Sequence, residues 1–199
     1  MRIRPAEPSD APTIAAIYNQ GIEERSSTFE TTLRNPKDML ERLQASDRYP
    51  ALVLLNVDDQ VIGWASLSVY RARACYDGIA DFSIYLSGEV RGQGLGKHLL
   101  QALLKEAQAR GFWKVLSRVF SFNRASLALC KACGFRQVGV YEKHACLKGQ
   151  WIDCVIVERL FPENQANGNA PVVGSSTETG GLSTCRPFLH FTTTARPRS

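Results

Sequence analysis

The stretch Glu89-Val-Arg-Gly-Gln-Gly-Leu-Gly-Lys-His98 separates two segments of different periodicity. Before it, Ala80-Asp-Phe-Ser-Ile-Tyr-Leu86 is apolar enough to predict a strand. After it, leucines at 99, 100, 103 and 104 recur at helical spacing within 99–110. The glycines therefore occupy a strand-to-helix junction, where the first backbone N–H groups lack intrahelical acceptors and the macrodipole is positive. Gly92, Gly94 and Gly96 have no Cβ, so a bulky anion can approach the backbone closely. The junction predicts a pyrophosphate cradle. A Walker loop would place Ser or Thr after Gly96-Lys97, and His98 stands there instead. A dinucleotide fingerprint would follow the first strand of a βαβ unit, whereas about eighty residues come first here and the glycine spacing differs.

Working outward, Gly111 stops the long helix, Lys114 to Phe120 reads as a strand, and Asn123 caps a short helix over Arg124 to Ala132. Strands are predicted around Arg136 to Glu142 and Trp151 to Leu160. On the other side, Ala51 to Val57 and Val61 to Tyr70 form a hairpin about Asp58-Asp59-Gln60, and the loop Arg71 to Gly78 leads into the central strand. At the N-terminus a short strand near Ile3 precedes a helix capped by Ser9, with Ile14, Ile17 and Ile22 on one face. Periodicity is lost over Gly21 to Glu30, as in a substrate-facing loop, and Asn35-Pro36 opens a second helix. This order predicts an α/β (α+β) fold, a mixed twisted sheet flanked by helices on both faces. The domain is expected over residues 1–163. Residues 164–199, rich in Gly, Ser, Thr, Asn and Pro, are expected to be a disordered tail.

The chain has 199 residues, 44% apolar and 22% charged, with a formal charge of +5 and no long basic run, which favours an anionic small molecule over nucleic acid. No apolar run reaches the roughly 18 residues of a membrane span. Met1-Arg-Ile-Arg-Pro is not followed by an apolar block, so a cytoplasmic protein with reduced thiols at its six cysteines is expected. Cys130-Lys-Ala-Cys133 lacks the second pair a zinc site needs, and no metal is expected.

The pattern Arg91-x-x-Gly94-x-Gly96, with the element order around it, resembles the pyrophosphate loop of the GCN5-related N-acetyltransferases, which hold acetyl-CoA. Across roughly residues 2 to 162 the chain resembles the phosphinothricin and arsinothricin N-acetyltransferase branch. The resemblance is carried by Ile17-Tyr-Asn19, Ser27-Thr-Phe-Glu30, Arg71-Ala-Arg73 with Tyr76-Asp77, Ser83-Ile-Tyr-Leu86, Gly139 to His144, and Gly149-x-Trp151-x-Asp153. It implies acetyl transfer to the α-amine of a small anionic amino-acid antibiotic, conferring resistance, by direct attack in a ternary complex within a homodimer.

Residue by residue, the resemblance implies that Ile84, Tyr85 and Leu86 offer their backbone to the pantetheine amides, and that Arg91, Gly92, Gln93, Gly94, Leu95, Gly96 and Lys97 hold the pyrophosphate. Asn123 matches an asparagine that touches the cofactor arm, and equally suits a plain helix cap. The family's catalytic glutamate falls on Asp81, a carboxylate in an otherwise apolar strand; the alternative is an outward, solvated residue. Asp is one methylene shorter, which favours a bridging water. Where the family often has Tyr or His as general acid, the chain has Cys130, a poor donor. Glu24, Thr28, Phe29 and Glu30 are expected to line the amine end of the acceptor pocket, and Arg71 and Arg73 to clamp its anion. His144 and Trp151 suit either a wall of the site or a dimer interface. The rival readings are a polyamine or protein N-terminal acetyltransferase, and a non-catalytic acyl-CoA sensor.

Overall fold

The computed structural model describes residues 1–44 and 48–166. Among them, seven strands form one mixed sheet: Arg2–Pro5 (β1), Ala51–Leu55 (β2), Val61–Val69 (β3), Ile79–Leu86 (β4), Lys114–Phe120 (β5), Arg136–Leu147 (β6) and Gln150–Leu160 (β7). Their spatial order is β1-β2-β3-β4-β5-β7-β6. The helices are Ala11–Glu24 (α1), Pro36–Gln44 (α2), Leu95–Ala109 (α3), Arg124–Ala132 (α4) and Pro162–Ala166 (α5). The expected mixed sheet with helices on both faces is present.

Side-chain alternation sorts the core into two layers. Leu52 and Leu54 of β2 join Leu99, Leu100, Leu103 and Leu104 of α3 in one cluster. Val53 and Leu55, between them in sequence, join Ile14, Ile17, Tyr18 and Ile22 of α1, Met39 of α2 and Trp64 of β3 in the other. The register pairs Ser66 with Ser83 and Ser68 with Asp81, so these four share the face covered by α1 and α2. Phe82, the next residue, is buried with α3. Asp81 therefore points into a covered face, not out to solvent.

Several boundaries differ from the sequence expectations. Helix α1 runs on to Glu24 and ends at Arg25, whose φ of 55° is left-handed, instead of fraying at Gly21. Ser9 does not cap it: Asp10 takes that place, accepts a hydrogen bond from the Glu7 N–H at 2.8 Å and pairs with both Arg4 guanidinium nitrogens at 2.7 and 2.9 Å. Asn35 and Asp38 do form a reciprocal cap on α2, each side chain accepting from the other's backbone N–H. The pyrophosphate-loop helix begins at Leu95, with Gly94 as its cap. The last hairpin is longer than expected at its turn end, over Lys148-Gly149.

The expected domain boundary after residue 163 falls inside α5. Asn164 donates from Nδ2 to the carbonyls of Gln108 and Phe112, both at 2.8 Å. The rest of the tail, residues 167–199 with Cys185, lies outside the described residues. Among the described residues, no helix is long and apolar enough to cross a membrane.

Two outcomes follow from this packing. A Cβ at Gly78 would lie 1.8 Å from Trp113 Cε3, so Gly78→Ala must displace a large ring. Urea unfolding should show a loss of about 1–3 kcal/mol. The Arg4 hydrogen bonds hold the Asp10 carboxyl below its ordinary value against the opposing effect of burial. A depressed folded pKa gives stability that is present above the unfolded value of about 3.9 and is lost as pH falls through the folded one. Melting curves of wild type and Asp10→Asn should therefore differ at neutral pH and converge in strong acid.

Candidate active site

The sheet opens after Asp81. Strands β4 and β5 pair in parallel only at Ile79 with Lys114, Ala80 with Val115, and Asp81 with Leu116. Beyond that point β4 stays with β3 as far as Leu86, and β5 stays with β7 as far as Phe120. The freed edge of β4, Phe82 to Leu86, faces a gap instead of a neighbouring strand. Three cavities adjoin along the split.

The largest, about 750 Å3, is lined by Ile84, Tyr85, Leu86, Arg91, Gly92, Gly94, Gly96 and Lys97 on one side and by Asn123 to Ala132 of α4 on the other. Gly92 and Gly94 have φ of 78° and 79°, and a Cβ at either would meet no atom within 4 Å, so the left-handed backbone itself demands glycine. Gly96 is different: a Cβ there would press on Leu129 at 3.2 Å, so its smallness serves the α3–α4 contact. Open, Cβ-free backbone at the N-terminus of a 15-residue helix suits a pyrophosphate. The unpaired edge of β4 suits an amide-bearing arm laid beside it as an extra strand.

Some predicted residues reach this cleft differently. Gln93 bonds from Nε2 to the Glu89 carbonyl at 3.4 Å, and the Leu95 side chain is buried beneath α3. Asn123 fills the capping role, accepting from Ser126 N–H at 3.0 Å, while its Nδ2 donates to the Ser26 carbonyl at 2.9 Å. Glu24, expected at the amine end of the acceptor pocket, lies instead on the cofactor side. The full length of α1 carries it to Arg91, 2.5 Å away, and Arg91 also donates from Nε to the Leu86 carbonyl.

The second cavity, about 270 Å3, is lined by Tyr18, Thr28, Ser68, Asp81, Ser83, Arg118 and Cys130 among others, and it shares Ile84, Tyr85 and Asn123 with the cofactor cleft. Asp81 Oδ2 accepts from Arg118 Nη2 at 3.0 Å. Asp81 Oδ1 is buried with no hydrogen-bond partner among the described residues. Burial pushes the Asp81 carboxyl above its ordinary value, and the Arg118 charge and hydrogen bond pull the other way. Burial likewise pushes the Cys130 thiol up to about 12, so it stays protonated. A largely buried carboxylate with one vacant oxygen, in a pocket that adjoins the larger cleft, can accept a proton.

The third cavity, about 380 Å3, continues outward past Ser27, Thr28 and Arg118 to Phe29, Glu30 and His144. Phe29 packs on Phe120 at 4.6 Å and near His144 at 6.2 Å between ring centroids. Thr28 Oγ1 lies 3.2 Å from the Tyr18 hydroxyl. Glu30 pairs with Arg34 at 2.6 Å, which holds its carboxyl low. Arg71 stacks its guanidinium over Tyr70 and Tyr76, at 5.2 and 5.8 Å from the ring centroids. Neither Arg71 nor the exposed Arg73 lines these cavities. Trp151 is exposed on β7. Arg118 was missed by the sequence reading, although a charge inside the apolar run Val115 to Phe120 carries the same signal that singled out Asp81.

The acetyltransferase (GNAT) family model matches residues 18–135. The chain is 32% identical over 170 residues to the L-methionine sulfoximine/L-methionine sulfone acetyltransferase of Pseudomonas aeruginosa, covering 82% of this chain and 97% of that protein. It is 34% identical over 164 residues to the phosphinothricin N-acetyltransferase of Streptomyces viridochromogenes, covering 81% and 88%. Among solved structures, a GNAT superfamily phosphinothricin acetyltransferase from Sinorhizobium meliloti in complex with AcCoA superposes with a TM-score of 0.79 at 32% identity, covering 83% of this chain and 90% of that one. The chain belongs to the GNAT acetyltransferase family and is an acetyl-CoA-dependent N-acetyltransferase.

Because Gly94 sits at φ 79° over the open end of the cleft, Gly94→Ala should strain the loop and weaken acetyl-CoA binding by roughly tenfold. Isothermal titration checks this, with circular dichroism to show the fold intact.

Proposed function

We propose that this enzyme acetylates the α-amine of a small amino acid with a tetrahedral side-chain head, most readily an anionic one of the phosphinothricin or arsinothricin type, and so confers resistance to it. The observation that carries the reading is the Asp81–Arg118 pair, a vacant base and a guanidinium together in a pocket that opens onto the cofactor cleft. The names of the relatives support it, since they act on phosphinothricin and on methionine sulfoximine and sulfone. A polyamine would find a cation at the pocket floor, which disfavours that rival.

In this reading Asp81 Oδ1 takes a proton from the acceptor ammonium, directly or through one water. The freed nitrogen lone pair would attack the thioester carbonyl carbon; as the carbon–sulfur bond breaks, its electron pair leaves on sulfur, which takes up the second proton that the nitrogen sheds, giving the amide and the CoA thiol. Acetyl-CoA supplies an activated acyl group. The chain's part is to hold the arm along Ile84 to Leu86, to seat the phosphates on the Gly92 to Lys97 backbone, and to bring the amine to the carbonyl. Thr28, Phe29 and Glu30 line the acceptor's side of the pocket. The buried Cys130 thiol, a weak donor, has no assigned role in catalysis.

We also read the protein as a cytoplasmic homodimer. Strand β6 ends the sheet, its residues 136–144 are all exposed, and Val138, Val140 and Tyr141 project from it. An exposed apolar edge strand calls for a partner. Sedimentation should give a dimer for wild type and a monomer for Val140→Lys.

Release of CoA with phosphinothricin and arsinothricin, compared with methionine sulfone, spermidine and alanine, tests the substrate class. Turnover confined to spermidine would overturn it. Asp81→Asn should lower kcat by about 10²–10⁴ while leaving acetyl-CoA affinity unchanged; a sensor would have no turnover to lose. In wild type the acid limb of kcat/KM should lie above the ordinary aspartate value of about 3.9, because burial raises Asp81, and it should vanish in the variant.

A further inference from the structure

Arg118 is attached to one arm of the split sheet and Asp81 to the other. Asp81 sits at the last parallel pair, opposite Leu116, and Arg118 is the next same-face position along the free part of β5. Their single hydrogen bond therefore spans the mouth of the fork. It uses one of the five guanidinium N–H donors, and among the described residues Arg118 has no other partner. Asp81 Oδ1 is likewise vacant. The pair is incomplete on both sides, in contrast to the two-bond pairing of Arg4 with Asp10.

Arg124 lines the cofactor cleft and not the pocket of Asp81, and four other arginines near the cavities have partners of their own. Arg34 is held by Glu30 at 2.6 Å, and Arg91 by Glu24 at 2.5 Å. Arg42 donates to Ser83 Oγ at 3.2 Å and lies over the Trp64 ring. Arg71 stacks on two tyrosines. Arg118 lines both the pocket of Asp81 and the outer cavity of Phe29, Glu30 and His144. It is the guanidinium that an acceptor passing between those cavities must meet.

We propose that Arg118 reads the acceptor's side-chain anion, and that an acceptor carrying such an anion draws the guanidinium off Asp81 and leaves that carboxylate free to take the ammonium proton. This rests on the acceptor class proposed above. A phosphinate or arsinate offers two oxygens to the open donors of the guanidinium, a stronger bidentate match than the one bond made to Asp81. A neutral tetrahedral head of the same shape, such as a sulfone, has no charge to compete with Asp81. Arg118 then remains on the base and opposes its protonation. Anionic acceptors are thus selected twice, once in binding and once in the release of the base.

The test is the ratio of kcat/KM for phosphinothricin to that for methionine sulfone, in wild type, Arg118→Gln and Arg118→Lys. The ratio should fall by roughly ten- to a hundredfold in Arg118→Gln, through a higher KM for phosphinothricin and a higher kcat for the sulfone. Arg118→Lys, which keeps the charge, should recover part of it. Acetyl-CoA affinity, measured in parallel, should not change, since Arg118 is outside the cofactor cleft. An unchanged ratio in Arg118→Gln, an equal loss with both acceptors, or a collapse of the ratio in Arg73→Gln instead, would overturn the proposal while leaving the acetyltransferase reading intact. If Arg118→Gln does not fold, Arg118→Lys decides alone, and a ratio equal to or above the wild-type value with a higher kcat for both acceptors would overturn the proposal. Wild type that turns over neither acceptor would overturn the functional reading itself, and this proposal with it.

Discussion

Everything at the site depends on a parallel pairing that lasts three residues. Parallel strands β4 and β5 meet from Ile79 to Asp81 and then part, each retained by an antiparallel neighbour on its far side. A strand edge inside a protein leaves N–H and C=O groups without partners, a condition that folded chains avoid. Here the unpaired edge lines the largest cleft and suits an arm that carries amides. The same divergence opens room for α4 to approach the Gly92 to Lys97 loop, and it places the one buried carboxylate of β4 at the apex of the gap. The larger cleft, the smaller pocket and the Asp81 carboxylate are thereby set beside one another by a single topological event.

The electrostatics of the site follow from that geometry. Asp81 is the meeting point of two opposed influences, burial that favours the acid and Arg118 that favours the carboxylate. Cys130, across the pocket, feels burial with no cation to oppose it, and its thiol is locked in the protonated form. Burial raises both groups, and only at Asp81 does a guanidinium oppose it.

Much of this was legible from residues alone, because the signals were local. The glycine pattern between a strand and a leucine-spaced helix marked the loop that lines the largest cleft, and a carboxylate in an apolar run singled out Asp81. What escaped depended on contacts distant in sequence. The stretch from Gly21 to Glu30 reads as a loop that loses periodicity. In the fold, a Cβ at Gly21 would lie 2.7 Å from Ser27 Oγ and 3.1 Å from the Tyr85 ring, so the glycine permits a close approach and the helix continues through it. Glu24 is consequently carried to Arg91. The importance of Arg118 and the engagement of Arg71 with two rings likewise arise from strand register and aromatic neighbours, which no short motif encodes. The exposed stretch 136–144 of β6 has an ordinary composition, and only its position at the end of the sheet marks it out.

The segment between α1 and α2 closes the acceptor pocket, and it is pinned at several points. Asn123 holds the Ser26 carbonyl, Tyr18 meets the Thr28 hydroxyl, and Asn19 exchanges two hydrogen bonds with the Arg34 backbone, at 2.9 and 2.8 Å. These anchors belong to α1 and to the head of α4, on opposite sides of the fork. The roof of the pocket is therefore a bridge moored at both banks and not a flap hinged at one. Its conformational entropy is surrendered when the chain folds, so the chamber beneath it is in shape before anything binds.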